Sequence, residues 1–200
     1  MRLIGTIAFA QVQQSPLKQG EGANRTYNPS PVLRVPGLRL TCQGVFGVRR
    51  DGTEIIDVHH VDHPQSRNRG NANGISLNFL PNYDRIRARF PYREPDQIDD
   101  GIGGENLVID PVPDFQMDWL NTELIIERAS DGHHIRLEDV MVTSPCTPFS
   151  NYVAGRTIGG GELRDTLQFL SDGTRGFYAS MALEQPSVIV SKGDRLFAVE

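Results

Sequence analysis

Cys146 stands between two prolines, in Val142-Thr143-Ser144-Pro145-Cys146-Thr147-Pro148-Phe149. Each proline fixes its own φ and donates no backbone hydrogen bond, so this segment cannot join a regular ladder. The spacing predicts a stiff loop that presents the thiol at the end of an apolar strand over 140–143. Such a thiol can ligate a soft metal or accept a sulfane sulfur, in both cases as the thiolate. Arg156, Arg175 and the Arg67-Asn68-Arg69 loop are the cations that could favour that form. The other reading is a buried cysteine packed as a small hydrophobe, and Cys42, inside a strand pattern, is read that way.

Two further constellations carry chemistry. In Gly101-Ile102-Gly103-Gly104-Glu105-Asn106, the glycines let backbone amides come close to a ligand. Asn106 and those amides would hold an anionic or amide group, with Glu105 orienting them; alternatively both side chains satisfy backbone groups of the turn. No Lys-Ser/Thr follows, so this is not a nucleotide P-loop. Asp57-Val58-His59-His60-Val61-Asp62-His63 offers His59, His60, His63 and Asp57 as ligands for Zn²⁺ or another divalent ion, whose bound water would be a nucleophile. On a strand Asp57 and His59 share one face and His60 the other, so a four-ligand site requires a bend near Pro64. The competing reading is a polar strand end with solvated imidazoles. Arg67 and Arg69, close by, have the forked geometry that suits a phosphate or a structural ion pair.

The elements that position these residues are mostly short strands. Alternating apolar residues predict strands over 4–12, 38–41, 44–48, 54–58, 106–109, 123–128, 135–137, 140–143, 176–182, 187–190 and 196–199. Arg50-Asp51-Gly52 turns one pair, Asp131-Gly132-His133-His134 marks another hairpin, and Lys192-Gly193-Asp194 is expected to join the last two strands. Residues 15–31 read as a long loop, and 82–90 and 161–170 as short helices. With 20 Gly and 13 Pro scattered along 200 residues and no strand–helix alternation, the expected fold is mainly β: a closed or nearly closed barrel with a few short peripheral helices. The chain is expected to form one domain over 1–200.

A formal net charge of −5 argues against general nucleic-acid binding. The first ten residues are an apolar run broken by Gly5 and Thr6, and no segment is long enough to span a bilayer. A cytoplasmic protein with reduced cysteines, bound neither to membrane nor to nucleic acid, is the expectation.

Three blocks resemble the MOSC family, the sulfurase C-terminal module of molybdenum-cofactor proteins. Gly103-Gly104-Glu105-Asn106-Leu107 is similar to its Gly-Glu-Asn-Leu block, and Pro145-Cys146 to its conserved cysteine. Gly173-Thr174-Arg175-Gly176-Phe177-Tyr178, with Lys192-Gly193-Asp194 further on, is similar to its closing strand and turn. The resemblance is strongest over 53–200. It departs where many members carry an arginine shortly before Pro-Cys, here Val142, Thr143 and Ser144, and where many have His-Gly-Gly, here His59-His60-Val61. The resemblance implies a MOSC-like barrel that binds a molybdenum–pterin cofactor or carries sulfur as a Cys146 persulfide, through Cys146 as metal ligand or sulfur carrier. Arg67, Arg69, Glu105, Asn106 and Arg175 would then line the cofactor site. Its partners would be a small-molecule ligand and a sulfur-donor protein or redox partner, and its activity that of a molybdenum-dependent oxidoreductase or a sulfur transferase. Two alternatives stand beside it: a divalent-metal hydrolase centred on the histidine cluster, and a catalytically degenerate MOSC-like binding module.

Overall fold

The computed structural model describes residues 1–68, 74–91, 98–120 and 123–199. Its frame begins with a 12-residue strand, β1 (Arg2–Gln13), whose Ile4, Ile7, Ala10 and Val12 are buried. There follow β2 (Lys18–Gln19), β3 (Thr26–Tyr27), β4 (Val32–Val35), β5 (Gly37–Thr41), β6 (Gly44–Val48), β7 (Glu54–Ile56) and β8 (Ile75–Phe79). After helix α1 (Leu80–Arg89) come β9 (Leu107–Pro111), β10 (Glu123–Glu127) and β11 (His134–Val142). Helices α2 (Thr147–Ala154) and α3 (Gly160–Ser171) precede β12 (Phe177–Met181), β13 (Val188–Ser191) and β14 (Arg195–Ala198).

Seven strands close a barrel in the order β14-β10-β11-β12-β8-β9-β1, with β1 returning to β14 and β4 added on β1. Pairing is antiparallel throughout except between β8 and β9, which run parallel because α1 lies in the crossover between them. The expected fold, mainly β with a closed MOSC-like barrel and short peripheral helices, is the one observed. β1 lies outside the stretch where the motifs resemble the family, yet it closes the barrel. One edge meets β14 near its start (Arg2↔Ala198) and β4 near its end (Gln13↔Val32), while the other meets β9. Register shifts at Leu3/Gly5 and Ile7/Phe9 give β1 the bends this requires.

A second sheet, β13-β5-β6-β7, contributes Leu38, Leu40, Val45, Val188 and Val190 to the same apolar core as the barrel. On β9 the period of two divides the cores: Leu107 and Ile109 enter the barrel, and Val108 faces a second cluster with Tyr83 and Ile86 of α1 and Phe149 and Val153 of α2. Burying each such side chain stabilises the fold by roughly 1.5–3 kcal/mol.

Several expectations are corrected. The two strands over 135–137 and 140–143 are one strand, β11, interrupted at Asp139 (φ +54) by a register shift between Glu138 and Met141. The turn at Lys192-Gly193-Asp194 joins no hairpin: β13 pairs with β5, and β14 with β1 and β10, so the turn carries the chain from one sheet to the other. Strands β4 and β8 and helix α2 stand where no element was expected, and the 15–31 loop contains the small β2–β3 ladder.

Candidate functional site

The glycine turn before β9 is held by two glutamines of β1. Gln11 Nε2 donates to the carbonyl of Gly101 at 2.6 Å and Gln13 Nε2 to that of Gly104 at 2.8 Å. Gly104 has φ +81, and a Cβ there would lie 2.6 Å from Gln13 Nε2, so the close approach requires glycine.

Glu105, buried to 2% exposure, emerges from this turn into a polar cluster. Its Oε1 accepts from Arg175 at 2.5 Å and from Asn78 Nδ2 at 3.3 Å; its Oε2 accepts from the Tyr83 hydroxyl. Arg175 also donates to the carbonyl of Gly103 at 2.7 Å. Burial, the largest single influence, works against the charge on Arg175, but Glu105 and the phenols of Tyr27, Tyr178 and Tyr83 together outweigh it, and the guanidinium pKa lies above its ordinary value. The phenols of Tyr27, Tyr83 and Tyr178 are all shifted up, burial being the largest cause, and so stay protonated as donors.

Asn106 is turned away from any ligand. Its Oδ1 accepts from the amide and hydroxyl of Ser76, and its Nδ2 donates to Gln11 O and to Asp57. The reading in which this side chain satisfies groups of the fold describes its contacts. Asp57, wholly buried, accepts from Gln13 N and Asn106 Nδ2 on one oxygen, at 2.7 and 3.0 Å, and from His59 N on the other at 2.8 Å, with His59 Nδ1 3.0 Å from that second oxygen.

These groups surround a cavity of ≈150 Å³. Arg175, Glu105, His59 and Arg67 line it, with Lys18 and Tyr27, which face each other across the β2–β3 ladder. Arg67 and Lys18 have no carboxylate partner among the described residues, so the wall presents uncompensated positive charge. Arg69 lies outside the described residues.

Cys146 closes the irregular segment 143–146 that follows β11 and is at the same time the N-cap of α2, in extended conformation (φ −142, ψ 151), with Pro148 in the first turn of the helix. The second proline thus starts a helix, a position where its missing N–H costs nothing. The half-buried Cys146 packs against the cluster holding Leu17, Tyr27 and Phe149. Charge on it would act on Tyr27 and Tyr178, two residues of the cavity wall. Arg175 approaches the same helix, its guanidinium over the ring of Phe149. Arg156 is engaged elsewhere, with exposed Glu162. Both cysteines are free thiols.

The histidine cluster does not converge. Asp57 and His59 pair on the cavity side, whereas His60 is buried against Phe46 with ring centroids 4.5 Å apart, and His63 is half-buried with Nδ1 accepting from Gln65 N. Among the described residues no group of three or more His, Cys, Asp and Glu could hold a metal ion, so the four-ligand divalent site is not assembled. The bend expected near Pro64 comes earlier: Asp57 already leaves the strand, and successive turns send neighbouring imidazoles in different directions.

Sequence reading missed Gln11, Gln13, Asn78, Tyr83 and Lys18. The one available signal was polar Gln11 and Gln13, two residues apart and so on one face, closing a largely apolar strand. Among the described residues no helix is long and apolar enough to cross a membrane.

The fold is shared with solved structures. The YUAD protein from Bacillus subtilis superposes with a TM-score of 0.54 at 13% identity, the match covering 98% of this chain and 96% of that one. A hypothetical protein of known crystal structure matches at TM-score 0.59 and 15% identity over 100% of this chain and 69% of its own. YiiM from Escherichia coli matches at TM-score 0.52 and 18% identity, covering 84% of this chain and 65% of that one. No protein-family model matches the sequence, and no curated protein matches it. The likeness is one of fold.

Proposed function

We propose that this chain binds an anionic small molecule of the molybdenum–pterin cofactor class in the cavity, with Cys146 beside it as metal ligand or persulfide carrier. The observation that carries this reading is the placement of Cys146 at the head of α2, next to the cluster that supplies Tyr27 to the cavity wall, with Arg175 bridging helix and cavity. The donor set suits the charged end of such a cofactor. Lys18, Arg67 and the amide and hydroxyl donors around them match a phosphate, and a cavity of ≈150 Å³ encloses one ring or one phosphate, so the rest of a pterin would lie at the mouth. Bound there, the group would supply the metal and its redox chemistry; the chain would supply charge, orientation and a soft sulfur ligand.

As a sulfur carrier, the Cys146 thiolate would attack the sulfane sulfur of a donor persulfide. The donor's S–S bond breaks, the donor leaves as its thiolate, and a new S–S bond holds the sulfur on Cys146. The free state of Cys146 is compatible with this step. MOSC-like folds sharing no chemistry remain the competing class, since fold does not fix activity.

The test is molybdenum content per chain after reconstitution with molybdenum cofactor, for the native protein and for Cys146→Ser. Stoichiometric metal that the substitution abolishes supports the ligand role. Metal retained by Cys146→Ser leaves Cys146 to sulfur transfer, read as persulfide by mass spectrometry after exposure to a sulfur donor. Neither metal nor persulfide overturns the reading.

A further inference from the structure

We infer that Asp57 holds His59 in its Nδ1–H tautomer, so that the cavity presents the bare Nε2 of His59 as its hydrogen-bond and proton acceptor. This rests on the cavity being a binding site, as above, but not on molybdenum or on Cys146.

The geometry begins at Asp57, which has no access to solvent. Three donors besides the imidazole converge on its carboxylate: Gln13 N, Asn106 Nδ2 and His59 N. Those three donors favour the ionised carboxylate, so the hydrogen in the 3.0 Å contact with His59 Nδ1 is assigned to the imidazole. A neutral imidazole carries one N–H, so Nε2 keeps its lone pair. His59 lines the cavity with its side chain 27% exposed, and Nε2 has no partner among the described residues.

The rest of the wall explains why this nitrogen matters. Glu105, the carboxylate of the wall, already accepts from Arg175, Asn78 and Tyr83. Lys18, Arg67 and the hydroxyl of Tyr178 are donors, the Tyr27 hydroxyl being already given to the carbonyl of Ile102 at 2.6 Å. A molecule that satisfies this wall carries negative charge for Lys18 and Arg67 and an acidic O–H, N–H or S–H for His59. When that proton moves, the X–H bond breaks and Nε2–H forms. The electron pair stays on X, and the imidazolium faces the charge of Asp57. Asp57 is then a positioning residue, acting through His59.

The wild-type full-length chain, labelled with ¹⁵N, tests the tautomer directly through two-bond ¹H–¹⁵N correlations of its imidazoles at mildly alkaline pH. The expected spectrum shows His59 protonated on Nδ1 and bare on Nε2; protonation on Nε2 overturns the inference. A second readout is acylation by diethyl pyrocarbonate, followed peptide by peptide, with exposed His133 as internal reference. His59 is expected to react, and Asp57→Asn to slow that site about tenfold while His133 is unchanged, as loss of an orienting carboxylate lowers imidazole basicity. An unreactive His59, or one indifferent to the substitution, overturns it. The tautomer measurement needs no variant, so an Asp57→Asn chain that fails to fold leaves the inference open to refutation. A chain with the expected tautomer but no molybdenum keeps this inference and loses the cofactor; the reverse loses only this one.

Discussion

Arg175 lies across the ring of Phe149, 4.3 Å from guanidinium carbon to ring centroid, while its NH1 holds Glu105 at 2.5 Å. One side chain therefore joins the glycine turn to the helix that Cys146 caps. Removing it leaves Glu105 buried with its charge uncompensated, the costly way to break a buried pair. Arg175→Ala is expected to lose about 3–5 kcal/mol of stability. Arg175→Lys keeps the charge and loses the fork and the stacking, so it should fall between the two. Urea unfolding of the three proteins checks the order.

Cys146→Ser should not damage the fold. Cys146 makes no side-chain cap bond, and serine is a preferred N-cap whose oxygen can accept from the Phe149 amide, since Pro148 has none to offer. The expected change is a gain of up to about 1 kcal/mol. A thermal melt of the variant checks this, and a clear loss would show that the thiol packs more tightly than its half-buried position indicates.

Asp57→Ala strips the acceptor from Gln13 N, Asn106 Nδ2 and the His59 backbone amide together. Each buried donor left unmade costs roughly 1–3 kcal/mol, less where water enters, so a loss of about 3 kcal/mol or more is expected. The urea midpoint should fall, with the cavity-side amides, Gln13 above all, exchanging faster with solvent.

His60 is buried with Nε2 lacking a partner, and its pKa lies below the ordinary 6.5, burial being the main cause and Asp62 opposing it. The unfolded chain binds a proton here near 6.5 that the folded chain refuses. Stability is therefore unaffected by this group above that pH, and falls as pH drops below it toward the folded-state value. His60→Phe removes both the orphan nitrogen and that contribution. It should be neutral or stabilising by about 1 kcal/mol at pH 7, with a shallower loss of stability in acid. Urea unfolding at a series of pH values decides it; an unchanged acid limb would show that His60 does not titrate in this way.

Where apolar residues alternate, the sequence was legible: β6 falls on the expected residues, and β1, β5, β10 and β12 within a residue or two. Strand β8 escaped because all of Ile75, Ser76, Leu77, Asn78 and Phe79 are buried, so its two faces carry no contrast to read. Helix α2 escaped because Pro148 is as compatible with a first helical turn as with a loop, and only tertiary packing of Phe149 and Val153 decides between them. Glu105, Arg67 and Arg175 line one cavity, whereas Cys146 is not among its lining residues. Asn106 proves to be internal framing. The Asp57–His59 pair was visible only as part of a metal-like cluster. Its separation from His60 depends on a turn at Asp57 whose bonds come from Gln13 and Asn106, 44 and 49 residues away.

Strand β1 gives the molecule a temporal order as well as a shape. Its start pairs with β14, while Gln11 and Gln13 at its end steady the turn that carries Glu105 and anchor Asp57. A ribosome delivers β1 well before its barrel partner β14, since Leu3 opposes Phe197. The two strands must find each other across the long stretch between them, a search whose entropic cost makes such topologies slow to fold. During synthesis β1 waits for β14, and the barrel closes only after residue 198 has emerged.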